Sequence, residues 1–458
     1  MLVKLIVPEL KVEEDNPFSR DLFQRNVFAE SLTNLIKNID DNLVVSIDAD
    51  WGEGKTTFIN MWRAHLQLQG IKTIYFDSFK NDYSNDPFID IASEILSFIE
   101  VEYEKNAHIV KAQGELKNKT VQVGKKLLGW SAKVAVKAAT LGAIKDSDIE
   151  ELENVANDIA NGASDVVSNA ILERINSHKS QKDSLESFNT KIGELGSAVK
   201  ELQNFPLLII VDELDRCRPT YAVETIEKIK HLFSAKNVVF VIAVNKRQLH
   251  ESIRSVYGKI DAESYLKKFI QIETSLPRRH GYKQTNDFLQ YANYLFEELG
   301  FPSWLQSEAD DINKIMACYA EYFGISLREM ERAYTYLIVY YASVTERTAN
   351  FTPVITFLAI VRLKYPEKFK ALKNGKYSYQ QFEDEFKISG ISKEYYSNVY
   401  PDYFVTCFKF FLYTGVEYHN NKQGTDLEHM NLRGVSMSRL RFIPWYCEQI
   451  DAFSVNIT

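Results

Sequence analysis

Residues 43–57 read Leu-Val-Val-Ser-Ile-Asp-Ala-Asp-Trp-Gly-Glu-Gly-Lys-Thr-Thr, an apolar run that enters a glycine-containing loop and then a helical pattern. The run suits a strand buried on both faces. The loop from Ala49 to Thr56 follows the template G-x-x-x-x-G-K-[ST] in a strand–loop–helix setting. Gly52 and Gly54 can take positive φ, so successive backbone N–H groups can converge on a phosphate. The helix start behind them adds unpaired N–H groups and a favourable dipole. On this reading Trp51, Gly52, Glu53, Gly54, Lys55, Thr56 and Thr57 cradle nucleotide phosphates. Lys55 reaches the β- and γ-phosphates, and the Thr56 hydroxyl holds magnesium. Position 49 departs from the template, because alanine replaces the first glycine; its methyl is tolerable if φ is negative.

Outward from the loop, four more short apolar runs predict strands: Lys72–Phe76, Leu207–Val211, Val238–Val244 and roughly Phe269–Thr274. Helical patterns such as Thr57–Gln69 and Pro87–Glu100 separate them. Strand–helix alternation implies an α/β fold with a parallel sheet covered by helices. Residues 103–203 break the rhythm. Apolar positions there recur at helical spacing (Ile149, Leu152, Val155, Ile159, then Val166, Val167, Ile171, Ile175), which predicts a helical insertion. Beyond Pro277 the patterns are helical. The expected division is a core of residues 1–102 and 204–280, an insertion of 103–203, a helical lid of 281–350 and an α-helical C-terminal domain of 351–458.

The run Phe205-Pro-Leu-Leu-Ile-Ile-Val-Asp212-Glu213 is a buried strand ending in two carboxylates. A parallel strand presents its C-terminal end at the ligand crevice, beside the phosphate loop. Asp212 is therefore expected to bind magnesium, and Glu213 to orient or deprotonate the attacking water. Asn245 ends the run Val238–Val244, where a polar side chain would contact the γ-phosphate or that water. The text Asn245-Lys246-Arg247-Gln248 approaches the guanine-reading N-K-x-D, but Gln248 lacks the carboxylate that accepts the guanine N–H groups. ATP is favoured over GTP. Phosphoryl transfer also needs positive charge on the γ-phosphate. Arg328 and Arg332, four apart in Ser326-Leu-Arg-Glu-Met-Glu-Arg-Ala, share a helix face. Arg216 and Arg218 flank the acidic strand and are candidates for a finger reaching a neighbouring subunit.

The chain has 458 residues, too many for one compact core, and an ordinary globular balance of 45% hydrophobic and 25% charged residues. Its aromatic residues crowd into the C-terminal third, which predicts a packed helical domain there. A formal net charge of −8 gives no global attraction to nucleic acid or anionic lipid. Arg433, Arg439 and Arg441, with Phe442 and Trp445, form a local patch that could contact nucleic acid by charge and stacking. Four scattered cysteines suggest neither a zinc site nor a disulfide framework. The N-terminus does not read as a signal peptide, and the apolar run Tyr403–Val416 is too short to span a bilayer. A soluble, cytoplasmic protein is expected.

The run IIVDELDRCRP, followed by VETIEKIKHLF and VVFVIAVN, resembles the KAP family of P-loop NTPases, whose members typically carry D-D-L-D-R-C where Glu213 here replaces an Asp. WGEGKTTF, YFDSFKND and YLKKFIQIETSLP match the same family style, and the likeness covers about residues 20–280. The resemblance implies a magnesium- and ATP-dependent ATPase domain of the signalling type, at work in bacterial and plasmid defence or exclusion systems or in membrane-associated scaffolds. It implies self-association or a partner effector protein. Many members carry transmembrane helices between the phosphate loop and the acidic strand; here the counterpart, Val123–Ile144, is interrupted by Lys125, Lys126, Lys133 and Lys137, and reads as a solvated or surface-lying amphipathic helix.

Overall fold

The computed structural model describes residues 4–7, 10–84, 86–123, 164–232, 234–279, 286–395, 403–423, 425–428, 430 and 437–451. Five strands, β1 (Leu43–Asp48), β2 (Thr73–Asp77), β3 (Leu207–Asp212), β4 (Val238–Val244) and β5 (Ile272–Ser275), form one sheet in the order β2-β3-β4-β1-β5. Every pairing is parallel, with Val45 opposite Val241 and Asp77 opposite Asp212. The predicted strands are all present. The fifth starts later than expected, because Phe269 and Ile270 bond back to Leu266 at the end of a short helix (Ala262–Leu266) and bury their side chains against it.

Alternation along the strands sorts their side chains onto two faces. Leu43, Val45, Ile47, Leu208, Ile210, Val239 and Val241 join a cluster with Phe58 and Trp62 of α2 (Lys55–Leu68) and Leu32 and Ile36 of α1 (Asn26–Lys37). Val44, Ile74, Phe76, Ile209, Val211, Phe240 and Ile242 face the other way. They pack on α3 (Pro87–Glu102), α4 (Ser164–Gln203), α5 (Pro219–Leu232) and α6 (Lys246–Tyr257). With both faces covered, β3 and β4 are buried along their whole length. That explains their unbroken apolar runs.

Of the expected insertion, the structure describes residues 103–123 and the backbone of α4, a single 40-residue helix leading into β3. The Val123–Ile144 segment and the run Ile149–Ile159 lie outside the described residues beyond Val123. Among the described residues, no helix is long and apolar enough to cross a membrane.

Among the described residues, the elements beyond β5 are helices: α7 (Asp287–Leu299), α8 (Ala309–Phe323), α9 (Leu327–Ser343), α10 (Thr352–Lys364), shorter helices, and α11 (Phe442–Ile450). α8 ends at Gly324, whose φ is 57°, and α9 starts three residues later. One hydrophobic cluster runs from Phe288 to Ile450, so the helices of 287–343 and those after 351 share a core. Aromatic rings supply much of it, with Phe357 5.0 Å from Phe408 and Tyr319 5.3 Å from Phe404. The arginine patch is largely engaged within the chain: Arg439 donates to the carbonyls of Phe410 and Thr414 and lies 4.6 Å over the Tyr418 ring, while Arg441 pairs with Glu448 at 2.7 Å. Arg433 lies outside the described residues.

Candidate functional site

The strand order puts the loop after β1, Asn245 after β4 and Asp212 at the end of β3 along one edge of the sheet, as expected for a crevice at the strand carboxyl ends. Gly52 and Gly54 have φ of 83° and 80°, the left-handed region that favours glycine. Ala49 is not among the positive-φ residues, and its N–H donates to the carbonyl of Val244 at 3.1 Å. The alanine thus fits without strain. Lys55 opens α2 and turns its ammonium onto the carbonyls of Ala49 (2.6 Å) and Asp50 (3.3 Å).

The fold brings Thr56 and Asp212 together. The threonine hydroxyl is 2.8 Å from Asp212 Oδ2 and 3.3 Å from Glu213 Oε1. The other oxygen of Asp212 accepts the N–H of Glu213 at 2.8 Å, and the Tyr75 hydroxyl donates to Oδ2 at 3.2 Å. Burial pushes the Asp212 carboxyl up, against the pull of Thr56, the Glu213 N–H, Tyr75 and Lys55. A buried carboxylate beside a threonine oxygen, with no basic side chain paired to it, is a donor set that fits a hard divalent cation. Burial also raises Glu213, opposed chiefly by Arg216, with which it forms an ion pair. Glu213 has φ of 61°. For a non-glycine residue this costs on the order of 1 kcal/mol, and such strain concentrates at functional sites.

The remaining expected residues divide. Arg216 pairs with Glu213 of its own chain, and Arg218 binds Asp82 at 2.9 Å and the carbonyl of Ser84. Asn245 is buried, caps α6 by accepting from Gln248 N–H, and donates to Asp50 at 3.2 Å. Arg328 lies against the loop. Ser326 and Glu329 form a capping box that sets the start of α9 there. Arg332, one turn on, is exposed and does not line the hollow over the loop. That hollow, about 80 Å³, is lined by Trp51, Gly52, Gly54, Lys55, Thr56, Thr57, Glu213, Arg216 and Arg328, among others. Ligand pockets run to roughly 300 Å³ and above, so the hollow is small for a nucleotide.

Three contacts around the loop had no evident signature in the sequence. The Trp51 indole N–H donates to Asp215. Arg278, just past β5, pairs with Glu53, which does not line the hollow over the loop. Arg25 is buried, donates to the carbonyls of Glu53 (3.1 Å) and Pro277 (3.2 Å), and is lowered by that burial to about 10. A lone arginine ahead of a helix reads as a surface charge; only the fold shows that it ties the loop to the segment just after β5. A roomier cleft of about 1170 Å³ lies apart from these residues, between 107–123 and α4. It mixes Lys111, Glu115, Glu194 and Lys236 and contains none of the loop motifs.

A model of the KAP family P-loop domain matches residues 25–344. The phage T7 exclusion protein of Escherichia coli (strain K12) is 21% identical over 361 residues, covering 77% of this chain and 46% of that protein. The chain therefore spans about half the length of this curated relative. Among solved structures, the Aeropyrum pernix ORC2 protein aligns over 98% of this chain and 96% of that one at 13% identity. The TM-scores are 0.34 for its ADPNP–ADP complexes and 0.32 for its ADP form, too low to carry an argument. The family match extends over more than two thirds of the sequence and contains both the loop and the acidic strand end: the chain belongs to the KAP family of P-loop domains.

Proposed function

We propose that the protein binds ATP with magnesium at residues 51–57 and hydrolyses it to drive a conformational switch. The observation that carries this reading is the convergence of Thr56 and Asp212 at 2.8 Å, with Glu213 beside them, over a loop held open by two left-handed glycines. Thr56 and Asp212 would hold the magnesium ion, which when bound neutralises phosphate charge. Lys55 leaves its carbonyl partners to contact the phosphates. Glu213 accepts the proton of the attacking water once Arg216 releases it, and Arg328 supplies positive charge from the lid. Asn245 acts through Asp50 at the rear of the loop.

The likeness to a phage exclusion protein supports a role in an anti-phage defence or exclusion system, and self-association or a partner effector protein is part of the same proposal. We place the protein in the cytoplasm. The domain division given above is retained as a proposal. A second reading, a nucleotide-dependent scaffold with negligible hydrolysis, is favoured by one observation: Glu213 is already engaged by Arg216. Phosphate release from ATP by the purified chain, with and without magnesium and with Lys55→Ala as control, separates the two. A scaffold binds ATP and releases no phosphate.

A further inference from the structure

Tyr75 opens the segment YFDSFKND and lies outside both the phosphate loop and the acidic strand end, yet its hydroxyl reaches Asp212 Oδ2 at 3.2 Å. It lies on β2, whose pairing with β3 sets Tyr75 opposite Ile210 and Asp77 opposite Asp212, so the reach is fixed by sheet register. Behind the ring stands Arg63, with its guanidinium carbon 4.6 Å from the ring centroid. Arg63 lies seven residues after Thr56 on α2, hence on the same helix face. Its Nε is buried with no hydrogen-bond partner among the described residues, and the guanidinium interacts with Tyr75 and with the Glu94 carboxylate.

Resting on the reading above, we propose that Tyr75 is a positioning residue for the metal site, its hydroxyl orienting Asp212 and Arg63 clamping its ring. Asp212 Oδ2 has two donors, Thr56 and Tyr75. If Thr56 held a cation through its hydroxyl oxygen, its hydrogen would no longer be free for Asp212 Oδ2. Tyr75 is then the side-chain donor that keeps the carboxylate from rotating. Hydrogen-bond partners behind a metal ligand typically contribute roughly 10–100-fold in metal affinity.

The test is a magnesium titration of the full chain in the presence of a fluorescent ATP analogue, followed by the analogue's emission. Tyr75→Phe keeps the ring over Arg63 and removes only the hydroxyl. It should raise the half-saturating magnesium concentration about tenfold, while magnesium-free analogue binding and the melting temperature stay at wild-type values. Arg63→Met should shift the curve the same way, and the double variant should shift it by less than the product of the two. A Tyr75→Phe curve that overlays the wild type overturns the assignment. So does a variant whose melting temperature and magnesium-free binding fall together, which marks a packing role. A wild-type chain that binds no analogue at any magnesium concentration overturns the nucleotide reading itself, and is distinguishable from either result.

Discussion

A Cβ placed on Gly52 would lie 2.6 Å from the Cβ of Arg328, closer than side-chain carbons approach one another. The first turn of α9 therefore rests directly on the phosphate loop. Gly52→Ala combines this clash with a left-handed backbone. It should lower the melting temperature and weaken ATP binding, because either the loop or the lid must shift. Gly70 is the control: its φ is 75°, and nothing lies within 4 Å of a Cβ built there. Gly70→Ala should cost only the backbone term, about 1–2 kcal/mol, with nucleotide affinity unchanged. Paired calorimetric and thermal measurements would refute the lid contact if both variants behaved alike.

Arg328 and Arg332 share a helix face, but only Arg328 lines the hollow over the loop. Steady-state ATP turnover should fall by about 10²-fold or more in Arg328→Ala, the usual effect of removing one charge-stabilising donor. In Arg332→Ala it should stay within twofold or so, since an exposed arginine contributes little. The reverse order would place the catalytic charge one turn further along.

Lys55→Ala should weaken magnesium–ATP binding at least tenfold, about 1.4 kcal/mol, through loss of the point charge between phosphates. Isothermal titration reads this directly. Unchanged affinity would remove the loop from the site.

Burial pushes the Asp212 carboxyl up from its ordinary value. A carboxyl raised in the folded state holds its proton more tightly there than in the unfolded chain. Stability is then lost as pH rises from the unfolded value through the higher folded one, and stays lost above it. Without metal, Asp212→Asn should therefore melt above wild type at neutral pH. The advantage should vanish as pH falls toward about 4. A neutral-pH melting temperature below wild type would contradict the sign.

Much of this site is legible in the sequence because its parts are local. Gly52 to Thr56 are contiguous, and an unbroken apolar run ending in Asp212 and Glu213 can hardly be other than a buried parallel strand. The extent of β5 was not legible, since Phe269 and Ile270 look strand-like but pack at a helix end. Nor were Tyr75, Arg25 and Arg278, whose roles come from pairings across more than twenty residues and, for Tyr75, from strand register. Arg216 illustrates the converse. Its position beside the acidic strand suggests a finger toward another subunit, while the 3-10 turn Leu214–Arg216 folds it back onto Glu213.

The proposed hydrolysis rests on Glu213, and Glu213→Gln tests it most directly by keeping size while removing basicity. Single-turnover hydrolysis should be measured alongside the dissociation constant for magnesium–ATP on the same preparation. The variant should bind ATP as the wild type does and release phosphate roughly 10²–10⁴-fold more slowly, the usual contribution of a positioned base. A Glu213→Gln protein that hydrolyses ATP at the wild-type rate would contradict the assignment of Glu213 as the catalytic base.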